Sequence, residues 1–144
     1  MLETNIDDMN PEFYGYVMEM AFGRGALDAF MTPIIMKKNR PGIKLSILAN
    51  EIDVEKLEEL VLSETTTLGL RKYRVDRQVL DRRNLKLSTP YGTVSIKVGY
   101  LKNGQMKFAP EYEECKEIAQ SLKIPIKKVY EDLCFIAKKH LEAL

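Results

Sequence analysis

The order in which hydrophobic periodicity changes along the first half of the chain is the strongest constraint on its fold. Leu2, Thr4 and Ile6 alternate with Glu3, Asn5 and Asp7, a period of two that fits a strand carrying its oxygen-bearing side chains on one face. Asn10 then offers an N-cap and Pro11 a first helical residue, and Phe13, Tyr16, Val17, Met20 and Ala21 follow helical spacing until Gly23 and Gly25. Ala26 to Met36 is apolar enough for a second strand, with Pro33 arguing for an edge position or a bulge. "KKNRPG" reads as a turn, and Ile43, Leu45 and Ile47 alternate as a third strand. Asp53 can cap a helix whose Val54, Leu57, Leu60 and Val61 share one side, and Leu68 to Leu80 supplies a fourth strand. Strand, helix, strand, strand, helix, strand predicts an α+β, ferredoxin-like βαββαβ split sandwich. Both helices then cover one face of an antiparallel sheet, and the other face stays open.

Beyond Asp81 the pattern changes. Leu85 and Leu87 alternate, "TPYG" makes a turn, and Val94, Ile96, Val98 and Tyr100 alternate back as a hairpin. A second turn at Asn103-Gly104 leads to Met106 and Phe108, and Pro110 opens a helix with Tyr112, Cys115, Ala119 and Leu122 on one side. Pro125 starts a last helix with Val129, Leu133, Ile136, Ala137 and Leu141 as its stripe. The expected division is therefore a ferredoxin-like domain over residues 1–81, then a β-hairpin plus helical subdomain over 82–144.

Composition removes several function classes. The balance of 45% hydrophobic and 30% charged residues is that of an ordinary globular chain, and no apolar run approaches the ~20 residues of a bilayer span, so a cytoplasmic protein is expected. A net charge of +1 gives no general attraction to nucleic acid or membranes. Cys115 and Cys134 read as reduced core thiols, and a single histidine, His140, leaves no cluster to hold a soft metal. Any resident metal should be bound by oxygen. No serine, cysteine or lysine nucleophile stands in a recognisable motif, so covalent catalysis has no support.

Charge is segregated along the chain. Glu3, Asp7, Asp8, Glu12 and Glu19 precede the first basic residue, Arg24, whereas Lys37, Lys38, Arg40, Lys44 and the stretch from Arg71 to Lys86 are predominantly basic. Glu3, Asn5 and Asp7 project from one face of a strand and, with Asp8 from the turn, suit a hard cation such as Mg²⁺ or Mn²⁺. Asp7 and Asp8 equally suit a turn at the positive end of a helix. Lys37, Lys38 and Arg40 in "IIMKKNRPGIKL" can converge on phosphates, or simply solvate a hairpin tip. "SETTTLGLRKYR" gathers hydroxyls and backbone N–H groups next to Arg71, a place for an oxyanion or only the entry into a strand.

Four ordered stretches, "ETNIDDMNPEFYGYVMEM", "MTPIIMKKNRPG", "ETTTLGLR" and "TPYGTVSIKV", resemble the C-terminal half of the LarC family, the nickel-insertion proteins of nickel-pincer cofactor biosynthesis. The resemblance spans nearly the whole chain. It implies a CTP-dependent cyclometallase step in which nickel is inserted into pyridinium-3,5-bisthiocarboxylic acid mononucleotide and the nucleotide is cleaved. It further implies that this half binds CTP with Mn²⁺ or Mg²⁺ and assembles into homo-oligomers, with nickel handled by an N-terminal half not contained in this sequence. On that resemblance Glu3 and Asp7 or Asp8 orient the divalent ion, Lys37, Lys38, Arg40 and Arg71 neutralise phosphate, and Thr66 and Thr67 add short donors. Two alternatives come from other classes. An RNA-binding module would use the open sheet face, although the expected aromatic pair on the central strands is not evident, and a structural oligomerisation module would bind no nucleotide.

Overall fold

The computed structural model describes residues 1–142. Its contacts divide the chain into two units, Met1–Asp76 and the residues from Arg77 onward. The division falls a few residues before the expected boundary after residue 81, because Asp81 already pairs with Tyr100 in the second unit.

In the first unit β1 (Leu2–Ile6), α1 (Phe13–Gly23), β2 (Ala26–Met36), β3 (Arg40–Ala49), α2 (Val54–Glu64) and β4 (Arg71–Lys72) follow one another. The strands lie in the order β2-β3-β1-β4, all antiparallel, which is the ferredoxin-like arrangement. Alternation decides which face is buried. Leu2, Leu45, Ile47 and Ala29 point to the helices and meet Val17 and Ala21 of α1 and Leu57, Leu60 and Val61 of α2. Glu3 and Asn5 of β1 and Lys44 and Ser46 of β3 therefore share the opposite face. β2 is an edge strand, as Pro33 requires of a residue with no N–H to give a ladder.

Three local expectations need correction. Helix α1 starts at Phe13 rather than Pro11, because Asn10 accepts from the Glu12 N–H through its side chain (3.1 Å) and from the Phe13 N–H through its carbonyl (3.1 Å), closing a turn first. Its buried stripe is Tyr14, Val17 and Ala21, while Phe13 and Tyr16 are exposed. The fourth strand shrinks to Arg71–Lys72 from the expected 68–80. These two residues face Glu3 and Leu2; past Lys72 β1 offers only Met1, whose carbonyl accepts from the Tyr73 N–H, and before Arg71 the Gly69 carbonyl accepts from the Thr4 hydroxyl while residues 68–70 stay outside the ladder.

In the second unit β5 (Asp81–Thr89), β6 (Gly92–Tyr100) and β7 (Met106–Pro110) form an antiparallel sheet in that order. The β5–β6 turn needs Gly92, whose φ of +100° is costly for any residue with a Cβ. Pro110 ends β7 instead of opening a helix, and α3 (Tyr112–Leu122) begins after Glu111. Lys123, in the left-handed conformation, stops α3, and α4 (Ile126–Glu142) follows. Leu87, Val94, Ile96 and Val98 of the sheet pack on Cys115 and Ala119 of α3 and on Val129, Leu133, Ala137 and Leu141 of α4. Tyr112 and Leu122, expected on the buried side of α3, are exposed. Among the described residues no helix is long and apolar enough to cross a membrane.

Both cysteines are free, Cys115 fully buried and Cys134 partly. Burial pushes both thiols above the ordinary cysteine value, which leaves little thiolate near neutral pH. A thiol–disulfide reagent at pH 8 should therefore modify the native protein roughly tenfold or more slowly than free cysteine, with both thiols released by denaturant. Modification at the free-cysteine rate in native buffer would contradict this packing.

Candidate functional site

The first unit brings the segregated charges together. β1 runs up the middle of the sheet between β3 and β4, so its carboxylates stand between two sources of cations. Glu3 Oε1 accepts from Lys44 Nζ at 3.2 Å and from Ser46 Oγ at 3.1 Å, and its Oε2 lies 3.8 Å from Arg71 Nη2. Arg71 Nη2 donates to Asn5 Oδ1 at 2.9 Å. At the end of the strand Arg40 donates to Asp7 Oδ2 at 3.4 Å, and Thr66 donates to Asp8 Oδ1 at 2.5 Å. The acidic opening, the hairpin tip and the threonine loop thus converge around one strand.

Burial works against the charge on Glu3, but hydrogen bonds from Lys44, Ser46 and Tyr73 outweigh it and hold the carboxyl below its ordinary value. Glu3 is therefore anionic at neutral pH and closely engaged by cations. The Arg40–Asp7 contact is different: the arginine is more than half exposed and the contact is long, so it adds little stability and leaves Arg40 able to reach a ligand. Tyr14 lines the same groove as Asp7, and burial and the nearby Asp8 charge both raise its phenol above the ordinary value.

The threonine loop is fixed to the strand by a residue that periodicity had assigned to the less polar set. Thr4 is only 3% exposed, and its hydroxyl meets Thr67 Oγ1 at 2.6 Å and donates to the Gly69 carbonyl at 3.0 Å. Thr67 is largely occupied within the loop, whereas Thr66 faces Asp8 at the surface. Lys37 and Lys38 sit in a 3-10 turn at the tip of the β2–β3 hairpin, where Lys38 and Asn39 have φ of 61° and 56°. Both lysines are exposed, and among the described residues neither has an ion-pair partner. Sequence reasoning missed Thr4, Lys44, Ser46 and Tyr73. The signal for Lys44 and Ser46 was the alternation of β3, which sets them opposite Asn5 and Glu3.

An open groove of about 670 Å³ begins beside Asp7 and is lined by Ile6, Met9, Tyr14, Met31 and Ile43 among others. Among the described residues no three His, Cys, Asp or Glu side chains converge as a metal cage. Asp7 and Asp8 are adjacent in the chain and offer hard oxygen donors. That donor set fits a small divalent ion that completes its shell with phosphate oxygens and water.

Residues 1–130 match a family model described as "Nickel insertion protein". The chain belongs to the nickel insertion protein family. It is 52% identical over 130 residues to the pyridinium-3,5-bisthiocarboxylic acid mononucleotide nickel insertion protein of Clostridium acetobutylicum, covering 90% of this chain and 31% of the relative. The protein of that name from Thermotoga petrophila is 41% identical over 130 residues, covering 90% and 33% respectively. This family member thus spans about a third of the length of the curated relatives it matches. Among solved structures it resembles "LarC2, the C-terminal domain of a cyclometallase involved in the synthesis of the NPN cofactor of lactate racemase", in apo form, with a TM-score of 0.89 and 41% identity over 95% of this chain and 94% of the other. A protein from Methanopyrus kandleri has a TM-score of 0.66 and 25% identity, over 90% of this chain and 80% of the other.

Proposed function

We propose that this chain is the nucleotide-binding C-terminal part of a CTP-dependent cyclometallase that inserts nickel into pyridinium-3,5-bisthiocarboxylic acid mononucleotide. The observation that carries the reading is the meeting of Asp7 with Arg40 and of Asp8 with Thr66, which joins three segments far apart in sequence. A triphosphate needs such a mixture: carboxylates to hold a divalent ion, and cations and hydroxyls to take the remaining phosphate charge. Asp7 and Asp8 would hold Mn²⁺ or Mg²⁺, which when bound supplies charge neutralisation to the phosphates. Arg40, Lys37 and Lys38 approach those phosphates from the hairpin tip, Thr66 donates from its loop, and Arg71 and Lys44 add positive charge along the open face. Glu3, engaged by Lys44 and Arg71, holds those cations in place rather than standing beside the ion. Thr67 braces the loop.

Nickel is the cargo. On this reading its handling falls to an N-terminal part with which this chain would act, and assembly into homo-oligomers belongs to the same reading. Calorimetric titration with CTP tests it: binding is expected in the presence of Mn²⁺ and should weaken at least tenfold when the ion is chelated. Equal affinity with and without the ion, or no binding at all, would remove the nucleotide from this account.

A further inference from the structure

The sheet of the second unit has two unlike faces. Leu85, Leu87, Val94, Ile96 and Val98 pack toward α3 and α4. Alternation then puts Arg82 and Lys86 of β5, Lys97 of β6 and Lys107 of β7 on the opposite face, where all four are exposed. From Arg82 to Pro110 the chain contains no acidic residue. The whole-chain charge of +1 conceals this concentration, because the first unit carries more acidic than basic residues. Lys97 pairs with Glu111 at 2.9 Å, while the ion pairs of the second unit leave Arg82, Lys86 and Lys107 without a partner among the described residues. Like charges gathered in this way repel one another, so a ligand that brings negative charge is favoured there.

We propose that this face is a docking surface for the phosphate backbone of duplex nucleic acid, held without regard to base sequence. Asn84, Ser88 and Thr93 share the face and add neutral donors, and that mixture of cations, amide and hydroxyls is what phosphate oxygens take. Register sets Arg82 and Lys107 on either side of Gly99, two strands and so roughly 10 Å apart, and Arg82 lies four residues from Lys86, roughly 13 Å along β5. Those spacings approach the about 12 Å width of the B-DNA major groove, so the cations can reach phosphates on both of its rims.

The floor between the cations is small, Gly99 and Ala109 with Leu80 lying over the glycine, and among the described residues no aromatic ring stands on the face. A protein partner would need aromatic or large apolar anchors at the centre of the patch, where lysine is depleted. A single strand would need rings on which to stack its bases. The backbone of a duplex needs neither.

Fluorescence anisotropy of the full chain with short labelled DNA and RNA duplexes, each in two unrelated sequences, tests the proposal. The sequences should bind alike, with affinity falling roughly forty- to a hundred-and-fiftyfold between about 50 and 200 mM salt, the fall for three or four phosphates. Lys86→Glu with Lys107→Glu should weaken binding at least roughly tenfold and flatten the salt dependence. Lys86→Gln and Lys107→Gln, milder changes on exposed side chains, should each weaken it roughly three- to tenfold. Two control pairs make the same change of net charge elsewhere: Lys127→Glu with Lys138→Glu on α4, and Lys37→Glu with Lys38→Glu at the hairpin tip of the first unit. Each should alter duplex affinity less than about twofold, because distant surface charges are screened. Polyglutamate, standing for an acidic protein surface, should bind more weakly than either duplex. No duplex binding at about 50 mM salt, an equal loss in either control pair, or tighter binding of polyglutamate overturns the proposal. Every one of these outcomes is independent of whether the first unit binds CTP.

Discussion

Ile47→Ala is expected to cost about 2–5 kcal/mol of stability, the range for removing a large aliphatic side chain from a close-packed core. Ile47 is completely buried on β3, stands between Leu2 of β1 and Ala29 of β2, and belongs to the cluster that includes Val17, Leu57 and Leu60. A Cβ-only residue there leaves a void inside this cluster, with sheet neighbours held by their ladders and poorly able to close it. Chemical denaturation of the two proteins gives the difference directly. A loss below about 1 kcal/mol would mean that the helix layer does not rest on this strand as described.

Asp7→Ala and Lys38→Ala should each lower the affinity for CTP with Mn²⁺ by roughly ten- to a hundredfold, the scale of one lost charged contact. The sign of the Asp7 effect is diagnostic. Asp7 is the ion-pair partner of Arg40, so if phosphates bound without an ion, its removal would free Arg40 and tighten binding. If Asp7 holds the ion, removal weakens binding in Mn²⁺ and helps it in chelator. Lys38 has no ion-pair partner among the described residues to release, so its loss weakens binding under both conditions. Two variants measured with and without the ion thus separate a metal-bridged triphosphate from a purely cationic anion site.

The fold of the first unit was legible because its signals are local and agree: alternation in Leu2–Ile6 and Ile43–Ile47, the helical stripe Leu57, Leu60 and Val61, and Pro33 on an edge. The errors arose where tertiary neighbours decide. Phe13 and Tyr16 are as hydrophobic as Tyr14, and only the position of the sheet selects which of them is buried. How far β4 runs past Lys72 depends on how much of β1 is left to pair, and its start depends on the Thr4 side chain taking the Gly69 carbonyl, neither of which is a property of residues 68–80 alone. The site followed the same pattern. Segregated charge announced that opposite signs had to meet, and Asp7 with Arg40 and Glu3 with Arg71 do so. Which carboxylate meets which cation is set by register, so the engagement of Glu3 by Lys44 and Ser46, and the brace from Thr4 to the threonine loop, became visible only once the strands were aligned.

Anomalous diffraction at the manganese edge, from crystals of this chain grown with CTP and Mn²⁺, tests the central claim most directly. The account predicts a manganese peak in coordination contact with an oxygen of Asp7 or Asp8 and with phosphate oxygens that Arg40 also reaches. Triphosphate density away from both carboxylates, or a manganese peak elsewhere on the protein, would contradict it.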